Sequence, residues 1–233
     1  MNDLVEIVLD IETTGLNIKE GHRIIEVGCI ELRNRKLTGR EFHVYINPQR
    51  KIDQEAIKVH GIQDDFLISK PIFVEIAKAL REFIGGAKVV AHNGLGFDIK
   101  FLNSEFIKCG LNEIVLDKVV DTLIIAKKKF PGSPASLDAL CKRFNINLSK
   151  RKLHGALIDA KLLANVYTYL QGNIQQKIFL EPLDKKHYDN KELVEESYNT
   201  RLFHLSDSDM KLHSIMLEKI KNPLWLSQHN SDK

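Results

Sequence analysis

The run Val5-Glu6-Ile7-Val8-Leu9 is short, apolar and rich in β-branched residues, the pattern of a strand buried on both faces. Residues 22–33 (HRIIEVGCIELR) and 40–46 (REFHVYI) alternate apolar and polar positions, as half-buried strands do, with a turn at Asn34-Arg35-Lys36 between them. Three strands so closely connected predict an antiparallel meander. Residues 89–92 and 119–122 read as two further short strands. Helices are predicted over 53–60 (opened by Asp53, closed by Gly61), 71–84 (Pro71 in the first turn, Gly85-Gly86 beyond) and 97–109. In the last of these Ile99, Leu102, Phe106 and Ile107 share a face, and Gly110 is the stop. Three more follow: one near 122–130, one capped by Ser136 with Leu137, Leu140, Cys141 and Phe144 at helical spacing, and a long one from 156 to 171. That order of elements is a mixed α/β sheet flanked by helices.

From Gly172 the texture changes, and residues 181–200 read as a charged linker or a weak helix. Ser206-Asp207-Ser208-Asp209 then opens a helix near 207–221 that Pro223 ends. Leu212, Ile215, Met216 and Ile220 line one face, with Leu224, Trp225 and Leu226 beyond. An isolated helix of this length is marginal in water, so its apolar face requires a surface, either the chain's own larger domain or another protein. The division is 1–171, a linker over 172–205, and a tail over 206–233.

Composition changes this picture little. At 233 residues, 43% hydrophobic and 28% charged, the chain has the make-up of an ordinary globular protein with one sizeable core. A net charge of +3 permits a polyanionic partner without requiring one. Cys29, Cys109 and Cys141 show no CxxC spacing, which excludes a sequence-readable zinc site or disulfide framework and makes a reducing cytoplasm the simplest setting. No run approaches 18 apolar residues, so neither a membrane span nor an export signal is expected.

Candidate chemistry begins where the first strand ends. Asp10 and Glu12 are two residues apart and project from one face, roughly 6.5–7 Å apart along the strand. They are either a surface pair held by nearby Lys or Arg, or ligands of a hard divalent ion. Asp98, where Asn93-Gly94-Leu95-Gly96-Phe97 turns into a helix, is either a cap or a third acid facing the same cavity. Asp159, in the first turn of the long helix, is a rim residue or an inward ligand. His154 lies about 140° from Asp159 in helical phase, so it belongs to the loop ahead of that helix, where it is a bystander or a proton acceptor.

Taken together, Asp-x-Glu on a first strand, Asn-x₃-Phe-Asp at a strand-to-helix bend and His-x₄-Asp at a late helix resemble the three motifs of the DEDDh exonuclease family along roughly residues 4–170. The resemblance implies a ribonuclease H-like fold with a five-stranded mixed sheet. It further implies that Asp10, Glu12, Asp98 and Asp159 hold two Mg²⁺ or Mn²⁺ ions and that His154 is the general base. By the same resemblance Thr13 and Leu16 meet the terminal nucleotide of a DNA 3′ end, with Asp10, Glu12 and Asp159, and Glu55 and His60 lie in a nucleotide-contacting segment. The second motif has three residues between Asn93 and Phe97, one more than closely similar bacterial proofreaders usually have. Lys127-Lys128-Lys129 is either a solvated helix end or a backbone-attracting patch.

Further strings, including Gly21-His22-Arg23-Ile24-Ile25-Glu26, Phe130-Pro131-Gly132 and Ser136-Leu137-Asp138-Ala139-Leu140-Cys141, resemble the proofreading branch of that family, the epsilon subunits of bacterial DNA polymerase III. This implies a cytoplasmic replisome setting. Gln175, Ile178 and Phe179 resemble a sliding-clamp-docking pentapeptide. Leu212, Ile215, Met216, Ile220, Leu224 and Trp225 resemble the segment that grips the polymerase alpha subunit. The alternatives are a free-standing DEDDh exonuclease for RNA 3′ ends or DNA repair, and a catalytically silent nucleic-acid-binding module on the same fold. Deleting 206–233 is expected to leave nuclease activity intact while abolishing co-purification with the polymerase, and retained co-purification would remove this role from the tail.

Overall fold

In a computed structural model, which describes residues 4–149, 151, 153–172 and 206–220, the first apolar run becomes the middle of a sheet. Strand β1 (Val5–Thr13) has Ile7, Val8 and Leu9 fully buried. It pairs antiparallel with β2 (Ile24–Arg33), which pairs antiparallel with β3 (Lys36–Tyr45). On its other side it runs parallel to β4 (Lys88–Ala91), and β4 runs parallel to β5 (Val119–Asp121). The order is β3-β2-β1-β4-β5, five strands in one mixed sheet.

The meander is present as expected, although β3 starts four residues earlier than the alternation predicts. Lys36 to Arg40 are all exposed and do not alternate; Lys36 and Leu37 pair with Arg33 and Leu32, and residues 38–40 bulge opposite Glu31, whose carbonyl accepts the Thr38 hydroxyl at 3.3 Å and whose carboxylate contacts Arg40. Asn34 and Arg35 both have positive φ (50° and 64°), the two-residue turn whose twist matches that of the strands it joins.

The alternation of β1 separates two layers. Ile7, Leu9 and Ile11 face α3 (Phe73–Ile84) and α4 (Asp98–Lys108) through Phe73, Leu80, Ile99, Leu102 and Phe106. Ile107, assigned to that apolar face, is instead 58% exposed, and Phe101 and Glu105 are buried. Glu105 takes Arg23 in a two-pronged contact at 2.6 and 2.7 Å, which fastens α4 to the start of β2. Val8 on the opposite face meets α7 (Ala156–Leu170) through Leu163, Ala164 and Tyr167. The Tyr167 hydroxyl donates to buried Glu6 at 2.6 Å. Helices α5 (Thr122–Lys129) and α6 (Leu137–Arg143) pack on the outer side of α7 through Ala126, Leu140 and Cys141. Two short helices, α1 (Gln54–His60) and α2 (Asp64–Leu67), lie between β3 and α3. Asp53 occupies the predicted cap position of α1 but its side chain makes no capping bond, whereas Ser136 caps α6 as expected.

Asp10 and Glu12 continue the Val8 face toward the end of β1, and Gly28 is the residue opposite Asp10 on β2. A Cβ on Gly28 would lie 2.3 Å from the Leu157 amide nitrogen and 2.4 Å from the Ala156 carbonyl carbon. The missing side chain therefore lets the first turn of α7 rest on the sheet beside Asp10.

A second unit contains α8 (Asp207–Glu218), described by itself. Ser206 caps it by accepting from the Asp209 amide, and Met210, Leu212, Ile215, Met216 and Ile220 are exposed. The positions Gln175, Ile178, Phe179, Leu224 and Trp225 lie outside the described residues. No helix among the described residues is long and apolar enough to cross a membrane.

Gly28→Ala is expected to cost about 1–3 kcal/mol of stability in urea unfolding, as overpacking against fixed backbone does, and to lower nuclease activity with it. An unchanged unfolding midpoint would show that α7 does not need this approach.

Candidate active site

Because β1, β4 and β5 are parallel, their C-terminal ends reach one edge of the sheet, the side on which parallel sheets build their sites. At the end of β1 the chain bulges between Glu12 and Thr13. The turn behind it is pinned: the Thr13 hydroxyl donates to the Gly15 carbonyl at 2.7 Å, and the Thr14 hydroxyl meets Nδ1 of buried His22 at 3.0 Å. Asp53 donates its amide to the Thr14 carbonyl at 3.0 Å, which brings α1 alongside. Leu16 is left 83% exposed at the rim.

The bend after β4 delivers Asp98 as the first residue of α4. Asn93 adopts φ 63°, and its carbonyl accepts from both Gly96 and Phe97 at 3.0 Å. Asp121, at the end of β5, holds this bend. One of its oxygens accepts the Asn93 and Leu123 amides at 3.0 Å each, and the other accepts the Leu95 amide at 3.2 Å. The additional residue of the second motif is accommodated here, with Asp98 still buried.

Asp159 enters from the first turn of α7 and is 2% exposed. His154 stands on the loop before it, 46% exposed, its amide donating to Val59 at 3.2 Å and its Nδ1 lying 3.1 Å from Asp159. Glu12, His154 and Asp159 each offer a ligand atom within 4.8 Å of the other two.

These acids repel one another in a poorly solvated space. Burial, followed by the charges of Asp98, Glu12, Asp159 and Glu26, holds the Asp10 carboxyl well above the ordinary carboxylate range. Glu12 is pushed up to about 8 by burial and then by Glu26, Asp159 and Asp98, with Arg151 opposing. Asp98 is pushed up to about 7, chiefly by burial, although it accepts from its own amide and that of Ile11. Buried carboxylates that share oxygen donors and lack sufficient positive charge are the donor set that hard divalent cations fit. Asp10, Glu12, Asp98 and Asp159 could hold such ions.

Two clefts meet at the acids, both lined by Asp10, His92 and His154. The first, about 620 Å³, is bordered by Thr13, Leu16, Glu55 and His60. Burial holds the His60 imidazole below its ordinary value, which favours the neutral ring. The second, about 550 Å³, is bordered by Lys127, Ser133, Ser136 and Arg151.

Three residues of the site escaped the sequence reading. Glu26, on β2 opposite Glu12, bonds His43 at 2.7 Å with one oxygen and has no partner for the other among the described residues. Its legible signal was an acid inside a mostly apolar strand. Asp121 was visible as the acid ending an apolar strand. Arg151, whose Nε and Nη2 lie 2.5 and 2.7 Å from the two Asp159 oxygens, gave no signal beyond its place three residues before His154.

Residues 7–167 match the exonuclease family. The DNA polymerase III subunit epsilon of Rickettsia felis is 51% identical over 178 residues, 75% of this chain and 77% of that protein. That of Escherichia coli K12 is 41% identical over 227 residues, 93% of each. The chain belongs to the exonuclease family, among the DNA polymerase III epsilon subunits. The fold is shared with Exonuclease X in complex with 5′ overhanging duplex DNA, at TM-score 0.54 and 23% identity over 71% of this chain and 90% of that one. It is also shared with E. coli Exonuclease I in complex with a dT13 oligonucleotide, at TM-score 0.63 and 15% identity over 72% and 41%. This exonuclease is thus a 3′–5′ exonuclease of the proofreading type, from a metal-dependent family.

The acid cluster makes stability depend on pH. Glu12 and Asp98 have folded values near 8 and 7 against ordinary values of 4.5 and 3.8, so between these limits the folded state binds more protons than the unfolded one. Stability of the metal-free exonuclease should therefore fall as pH rises from about 4 to about 8. Saturating Mg²⁺ or Mn²⁺ should flatten that decline. Melting temperatures across the window, with EDTA and with metal, check both, and a metal-free curve that rises over it would contradict the charge assignment.

Proposed function

We propose that this exonuclease hydrolyses the last phosphodiester of a single-stranded or frayed DNA 3′ end, with two divalent ions, Mg²⁺ or Mn²⁺, held by Asp10, Glu12, Asp98 and Asp159. The observation that carries this reading is the convergence of those four acids, from β1, α4 and α7, with His154 beside them. Bound there, the ions would supply the charge stabilisation and water activation that phosphodiester hydrolysis requires.

The protein's own groups do the rest. His154, half exposed on its loop and 3.1 Å from Asp159, takes the proton of the attacking water. The water oxygen bonds to phosphorus, the bond from phosphorus to the penultimate 3′-oxygen breaks, and the shortened strand leaves with a 3′-hydroxyl. The departing nucleotide carries its 5′-phosphate. Thr13, Leu16, Glu55 and His60 border the first cleft, which receives the terminal nucleoside. A mismatched end unpairs at lower cost, so a site that accepts unpaired nucleotides favours errors without reading sequence.

The residues beyond the catalytic domain fit a tether. Docking of Gln175, Ile178 and Phe179 on the sliding clamp, and of Leu212, Ile215, Met216, Ile220, Leu224 and Trp225 on the polymerase alpha subunit, would hold the nuclease at high effective concentration near the primer end. Such an assembly works in the cytoplasmic replisome.

Digestion of 3′-labelled single-stranded DNA, with and without Mg²⁺, tests polarity, substrate and metal dependence together. Metal-dependent release of labelled 5′-mononucleotide is expected. His154→Ala should slow turnover by about 10²–10⁴ with little change in Mn²⁺ affinity, whereas Asp10→Ala should lose both. Wild-type rates in His154→Ala would remove the proposed base.

A further inference from the structure

Arg151 carried no signal in the sequence, and it is a cation in contact with the acid cluster. Its Nε lies 2.5 Å from Oδ1 of Asp159 and its Nη2 lies 2.7 Å from Oδ2, so the planar fork spans both oxygens of a side chain only 3% exposed. The Arg151 side chain is itself 7% exposed. The same Nη2 donates toward His154, 2.8 Å from Nδ1 and 3.3 Å from Nε2. One guanidinium therefore occupies both a proposed metal ligand and the proposed base.

We propose that Arg151 is a stand-in counter-ion, which neutralises Asp159 and engages His154 until a divalent cation takes its place. The inference rests on the metal-dependent reading above. A guanidinium fork and a doubly charged ion compete for the same pair of oxygens and repel each other across a carboxylate, so uptake at Asp159 requires Arg151 to withdraw. The structure supplies a place for it to go. Nη1 is already in contact with Asp138 on the first turn of α6, and Asp138 is 52% exposed. Held there, Arg151 keeps a partner while releasing Asp159. The imidazole of His154 is released in the same movement, so the base becomes available as the acids are loaded.

This role differs in sign from a purely structural one. If Arg151 only supports the site, removing it loosens the acids and weakens metal binding. As a competitor, it masks Asp159, and removing it strengthens metal binding.

The test uses the full chain with Mn²⁺ as the probe. Calorimetric titration is compared for wild type, Arg151→Gln and Arg151→Lys, together with melting temperatures in EDTA and in saturating Mn²⁺. Arg151→Gln should bind Mn²⁺ more tightly, by on the order of tenfold, the scale on which groups around a metal site alter its affinity. Arg151→Lys, which keeps the charge and loses the fork, should fall between. Arg151→Gln should melt below wild type in EDTA, and the deficit should vanish in Mn²⁺. Unchanged or weaker Mn²⁺ binding by Arg151→Gln, or an equal melting deficit in both conditions, overturns the proposal. If Arg151→Gln does not fold in EDTA, Arg151→Lys decides: binding no tighter than wild type overturns the proposal as well. A wild-type chain that takes up no Mn²⁺ sinks the metal-dependent reading itself, whereas normal wild-type uptake with unaltered affinity in the variants sinks only the role of Arg151.

Discussion

Like charge buried at one end of a strand is the constraint around which this molecule is arranged. Asp10, Glu12, Asp98 and Asp159 meet where water reaches them poorly, and Glu26 adds a further negative charge behind Glu12. Ordinary packing would exclude such a set, because an uncompensated buried carboxylate is among the most destabilising groups a fold can contain. Neighbouring features make it tolerable. The amides of Ile11 and Asp98 donate to the Asp98 carboxylate, and Arg151 covers Asp159. What compensation remains incomplete appears as affinity for protons and, in the proposed function, for cations.

The topology follows from the same demand. Two parallel pairings, β1 with β4 and β4 with β5, bring three strand ends to one edge, so acids separated by more than a hundred residues become neighbours. Antiparallel β2 runs back past that edge, and Gly28 on it leaves room for α7. Each helix that carries an acid is also tied to the sheet by a buried polar contact: Arg23 with Glu105 for α4, and Tyr167 with Glu6 for α7. These contacts fix where the helices that carry the acids sit.

Local pattern made much of this legible. The continuous apolar run of β1 and the alternation of β2 announced strands, and Ser136, Gly61 and Gly110 marked helix ends where the structure has them. The motif acids were readable because their spacing relative to a strand end or a helix start is itself geometric. Lys36 to Arg40 were not, since that half of β3 is held by the hairpin turn and by Thr38 and Arg40 on Glu31 and not by its own pattern. Ile107 was misplaced because the buried arc of α4 extends from Ile99 and Phe106 toward Phe101 and Glu105, which leaves Ile107 beyond its opposite edge. Arg151 was unreadable for a different reason: its partners Asp138 and Asp159 lie on two helices whose juxtaposition depends on the tertiary fold.

The clamp made by Asp121 bears on how such a chain can drift over generations. It grips amide groups, which every residue but proline possesses, and it does so from a strand that the bend itself does not belong to. The entry to α4 is thus held partly from outside the segment that leads into it. The side chain at position 95 can therefore change without loosening this grip, so long as it does not become proline.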